Sequence, residues 1–65
     1  MDYVVHVSRG AENVAASTVE AESDTQAFDR AIEWAASLFL RPDDDVVLAI
    51  ELPSGDFKTF DRKDF

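Results

Sequence analysis

The side chains of this 65-residue chain that could do chemistry are one histidine, His6, and fourteen carboxylates; there is no cysteine. Nucleophilic catalysis needs a nucleophile activated by a base, and the base oriented by a third group. His6 lies in the run Tyr-Val-Val-His-Val-Ser, with no thiol anywhere and no third member that spacing identifies. It reads as an exposed or partner-facing histidine. Asp43, Asp44 and Asp45 are hard oxygen ligands, yet a calcium loop of the EF-hand type needs acids at alternate positions, a glycine at its bend and a closing glutamate. Consecutive side chains diverge, so this run reads as a solvated turn. A glycosidase pair of carboxylates needs a concave sugar site between them, which so short a chain can hardly wall. With no thiolate and a single imidazole, thiolate and multi-histidine metal sites are excluded, as is a disulfide framework. The expectation is a protein that is not an enzyme and holds neither cofactor nor metal.

What the carboxylates do offer is a field. Six Lys and Arg stand against fourteen Asp and Glu, a formal charge of −8. Such a field repels nucleic acid and anionic membranes and attracts basic proteins. A net charge of magnitude about 2–8 also keeps small domains in solution. The charge is segregated along the chain: residues 12–51 hold ten acids against Arg30 and Arg41, which accounts for the whole −8. In the two ends, Asp2, Asp56, Asp61 and Asp64 balance Arg9, Lys58, Arg62 and Lys63. The basic group Lys58, Arg62 and Lys63 lies among aspartates, which disfavours direct binding of nucleic acid.

These residues must be positioned by a few short elements around one helix. From Ser23 to Arg41 the apolar residues Ala27, Phe28, Ala31, Ile32, Ala35, Leu38 and Phe39 gather on one side at about 100° per residue. Gln26, Asp29, Arg30, Glu33 and Ser37 fall on the other. Ser23 with Gln26 fits a capping box, Asp24 suits the positive end of the helix dipole, and Arg41 before Pro42 suits its end. Trp34, at the margin of the stripe, reads as a large side chain closing the core edge. The runs Tyr3 to Ser8, Val14 to Ala21, Val46 to Leu52 and Phe57 to Asp61 read as strands, with turns at 9–13 and at Pro53-Ser54-Gly55-Asp56. The second strand is small and nearly equally apolar on both faces, as an edge strand can be.

The order β-β-α-β-β with a right-handed crossover predicts an α+β fold. Its four-stranded antiparallel sheet runs in the order 2-1-3-4, and the helix lies on one face. The expected core is Tyr3, Val5, Val7, Val19, Phe28, Ile32, Ala35, Phe39, Leu48 and Ile50. The second face is left uncovered, with Val4, His6, Val47, Ala49 and Phe60 on it, and is more apolar than a solvated face needs to be. That predicts a homodimer or partner face at Val4, His6, Val47 and Ala49. The apolar runs are far short of the ~20 residues of a membrane span, and MDYVVHVSRG lacks the regions of a secretory signal, so the expected location is the cytoplasm.

A small, cysteine-free, acidic chain with charge of one sign resembles the phage-encoded inhibitors that imitate DNA, the anti-restriction and anti-CRISPR proteins. The resemblance is one of size, charge and compactness over the whole chain. It implies an inhibitor that occupies a basic nucleic-acid-binding site of a host nuclease or surveillance complex. Glu20, Glu22, Asp24, Asp29, Glu33, Asp43, Asp44 and Asp45 would then stand in for phosphates. The alanine-rich helix DTQAFDRAIEWAASLF after two strands is also similar to HicB-type antitoxins, which implies binding to a small toxin instead.

Overall fold

Val5 and Val7 alternate with Val4 and His6 in a segment too β-branched to favour a helix, and Tyr3 continues the inward set. In the computed structural model, which describes residues 1–38, 41 and 43–65, this segment is β1 (Asp2–Arg9). It is followed by β2 (Glu12–Glu20), α1 (Asp24–Leu38), β3 (Val47–Glu51) and β4 (Phe57–Asp61), and by a short 3-10 turn at Arg62–Asp64. The strands form one antiparallel sheet in the order β2-β1-β3-β4 with α1 packed against it, the α+β architecture expected from the sequence.

Local chemistry sets the connections. Gly10 takes φ +62° between Arg9 and Glu12 while Ala11 keeps a negative φ, the sign pattern of a two-residue type II′ hairpin. Val7 pairs with Ala15 but Ser8 pairs with Asn13, so Val14 is the extra residue of a bulge. Correctly oriented, the Asn13 side-chain amide donates to the carbonyls of Val7 and Ala15, each at 3.0 Å, and steadies that irregularity. Between β3 and β4, Gly55 N–H donates to the Leu52 carbonyl (2.9 Å) and Leu52 N–H to the Asp56 carbonyl (2.8 Å). Gly55 adopts φ +94°, which a residue with a Cβ rarely tolerates. At the start of α1, Ser23 Oγ accepts the Gln26 N–H at 3.2 Å. Gln26 Oε1 in turn accepts the N–H of Glu22, one residue before the cap, at 2.8 Å. The expected continuation of the helix through residues 39 and 40, its stop at Pro42 and the core role of Phe39 lie outside the described residues.

The core sits between α1 and one sheet face. Tyr3, Val5, Val7, Val46, Leu48 and Ile50 are its large, fully buried side chains. From the helix, Ala27, Ala31 and Ala35 are each 0% exposed, while the larger Phe28, Ile32 and Trp34 are only partly buried and flank them. The expected core residues Phe28 and Ile32 thus serve as its walls, and Trp34 closes the edge as expected. Phe28 meets Phe60 of β4 edge to face at 5.8 Å between ring centres.

An isobutyl group at Ala31 would have to enter the contact between helix and sheet, and forced overpacking of this kind costs about 1–3 kcal/mol. Urea denaturation of Ala31→Leu is expected to show that loss, while Asp29→Ala on the outer helix face stays within about 0.5 kcal/mol of the parent.

Candidate functional site

The eight carboxylates singled out from the sequence do not form one surface. Asp29 and Glu33, four residues apart, share the outer side of α1, exposed and without an ion-pair or hydrogen-bond partner among the described residues. Glu22 is exposed just before the helix. Asp24 points back to the sheet, where its Oδ1 accepts the Tyr3 hydroxyl at 2.7 Å. Glu20 pairs with Asp2 across β1 and β2. By strand alternation from Val4 and Thr18 it lies on the sheet face away from the helix. Its backbone carbonyl points to the outer edge, because the neighbouring Ala21 N–H is the one bonded to Met1 (2.9 Å), and Arg30 of α1 donates to that carbonyl.

The turn at 43–45 is less one-signed in space than in sequence. Arg9 grips Asp44 in a fork: Nη2 donates to Oδ1 and Oδ2 at 2.9 Å each, and Nε to Oδ1 at 3.2 Å. Arg41 Nη2 reaches Asp43 at 3.3 Å. Two guanidinium groups thus stand among three aspartates, and among the described residues only Asp45 has no such partner. In sequence Arg9 was counted with the terminal charges. The fold moves it, because Ser8 pairs with Val47 and brings the end of β1 beside the turn that leads into β3.

The bare face of the sheet is fixed by register. Across β2, β1, β3 and β4, one row is Thr18, Val4, Glu51 and Phe57, and the next is Ala16, His6, Ala49 and Thr59. A third is Asn13, Ser8, Val47 and Asp61. Val4 and Phe57 are 47% and 58% exposed, Val47 is half-buried and Ala49 is nearly covered by its neighbours. The His6 ring meets Phe57 edge to face, 6.2 Å between centres. Expected here, Phe60 instead pairs with Leu48 and packs on Phe28 under the helix, and Phe57 takes the bare face. The loop from Leu52 to Asp56 sets that parity, and its length was legible only once Glu51 and Phe57 were known to pair. Asp2, Glu51, Asp61 and Phe57, absent from the sequence-based candidates, all belong to this face.

No arginine or lysine side chain falls in those rows. Arg9, Arg30 and Arg41 are engaged as described, the Lys58 ammonium sits 5.5 Å from the centre of the Phe60 ring, and Arg62 lies 5.0 Å from that of Phe65. Phe60 and Phe65 both pack on the core beneath the helix. Asp2 and Glu20 thus form a like-charge cross-strand pair with no lysine or arginine in their row, an arrangement that destabilises a sheet by a few tenths of a kcal/mol to about 1 kcal/mol. A shallow depression beside it is lined by Asp2, Val4, Glu51, Leu52, Pro53 and Gly55.

Among the described residues no group of three or more His, Asp or Glu side chains is disposed to hold a metal ion. Nor is any helix long and apolar enough to cross a membrane. Comparison of the chain with protein-family models, with curated proteins and with solved structures gave no match.

The hydrogen bond to Asp24, burial, and the negative charge of Asp24 all oppose loss of the Tyr3 proton and raise its pKa. The contribution of this hydroxyl is then full below the unfolded value of about 10 and is lost as pH rises through the folded value. Tyr3 is the one tyrosine of the chain, so ultraviolet titration reads it alone. Its midpoint is expected above about 10 in the parent and lower in Asp24→Ala. The Arg9 and Asp44 side chains are 49% and 24% exposed, so solvent screens the pair. A double-mutant cycle of Arg9→Ala and Asp44→Ala is expected to give a coupling of about 1 kcal/mol or less that shrinks in 1 M salt.

Proposed function

We propose that the protein is a non-catalytic binding module, an inhibitor whose carboxylates occupy the basic nucleic-acid-binding site of a partner protein. This is the mode of the DNA-imitating anti-CRISPR and anti-restriction inhibitors. The observation that carries the reading is that none of the fourteen carboxylates is buried in the core, against only six basic residues. Asp29 and Glu33 stand on the exposed outer side of α1, a helix about 22 Å long for its 15 residues, which spans roughly six phosphate steps of one DNA strand. Glu22, exposed just before the helix, and Asp45, exposed in the turn that leads into β3, add negative charge to this reading. Asp24 and Asp44, held by Tyr3 and Arg9, contribute less because a partner must compete for them.

The test is capture of a partner from a bacterial lysate on the immobilised protein, followed by identification and titration. Under this reading duplex DNA displaces the partner and affinity falls steeply with salt. The variant Asp29→Lys with Glu33→Lys loses at least about tenfold in affinity with an unchanged circular-dichroism spectrum, since exposed helix positions tolerate charge. A partner that DNA does not displace, or one held equally well by that variant with the same salt slope, rejects the mimic.

A further inference from the structure

We propose that the bare sheet face is a second docking surface, and that its occupant is an amphipathic helical segment of a partner protein with an apolar stripe flanked by lysine or arginine. The inference does not rest on the helix-face reading, since it uses the opposite side of the domain. Val4, His6, Ala49 and Phe57 form a low apolar and aromatic floor across three strands, two of them exposed by about half. Around the floor stand Asp2, Glu20, Glu51 and Asp61, with no lysine or arginine in the same rows. A floor of one kind and a rim of one sign is the complement of a basic amphipathic helix.

Charge argues against a second copy of this chain as the occupant. Two copies face to face would bring together eight carboxylates from rows that hold no lysine or arginine. A helix about 10–12 Å across covers the floor and leaves its flanks at the rim. The depression between Asp2 and Glu51, walled by Leu52, Pro53 and Gly55, is placed to take one basic side chain of that flank. Its methylene stem would lie over Val4 while its charge meets the two carboxylates.

The probe is a leucine–lysine peptide of about 14 residues, roughly 21 Å as a helix, with its leucines on one face. It is titrated into the ¹⁵N-labelled full chain. Amide shifts are expected to concentrate at Val4, His6, Ala49, Phe57 and Thr59, and to persist in Asp29→Lys with Glu33→Lys, a variant that cripples only the helix-face reading. Phe57→Lys is expected to weaken the peptide at least about tenfold, as expected for loss of an exposed aromatic anchor. Thr59→Lys, at a solvent-exposed position in the next row, repeats the test should Phe57→Lys not fold. The proposal is overturned if a peptide of the same composition with scattered leucines binds as well, or if the shifts fall on the outer helix face and residues 43–45. It is equally overturned if the same amides shift with protein concentration alone, which would make a second copy the occupant.

Discussion

Close approach of the helix to the sheet at Ala27, Ala31 and Ala35 is the contact on which the rest depends. These methyls, one turn apart and 0% exposed, let the helix backbone settle on Val5, Val7, Leu48 and Ile50. The large helix residues are pushed to the flanks, where Phe28 closes one side against Phe60 and Trp34 also packs at the margin. A leucine-rich seam would hold the helix farther away and leave those flanks open. The same economy of material explains the bare second face. Among the described residues there is one α-helix, and with it packed on one side of the sheet no element covers the other.

The antiparallel ladder then sorts the charges. A strand alternates its side chains with a period of two, so the register of three pairings decides for every residue which face it meets. Arg9, beside Ser8, falls to the helix side and finds Asp44. Lys58, beside Phe57, falls to the helix side and lies on Phe60. Asp2, Glu20, Glu51 and Asp61 fall to the other. A one-residue slip in either hairpin would exchange these sets, which makes Gly10 and Gly55 as important to the charge map as any charged residue.

Fold and site were not equally legible in the sequence. The helix, the four strands and the order 2-1-3-4 follow from periodicity and crossover handedness, because those signals are local or nearly universal. The inward set of β1 and the alternation of Val46, Leu48 and Ile50 were equally plain. The pairing of Arg9 with Asp44 was not, since a contact between residues 35 apart depends on how β1 and β3 align, and no local pattern encodes that. Phe57 and Phe60 are both aromatic in a five-residue strand, so composition could not say which faces the helix. The extra residue Val14 was hidden because both faces of β2 are similarly small. Asp2, Glu51 and Asp61 were missed as a set because charge was summed along the chain, whereas they are gathered across three strands.

The excess of acids also bears on stability. A domain of this size buries only about 60% of the surface its unfolded chain exposes, and it has no disulfide to add. A net charge of −8 opposes compaction, and the Asp2 and Glu20 pair adds a local repulsion that a single lysine in either place would relieve. A basic partner on either face would lower that repulsion in the folded state alone, since the unfolded chain spreads its charges apart. Binding and folding are then linked, and each complex steadies the domain in proportion to its affinity. The two faces would respond to salt differently. An all-ionic contact along the helix weakens steeply as salt rises, whereas a contact over Val4 and Phe57 retains its apolar part, because burial of those side chains does not depend on an ionic field.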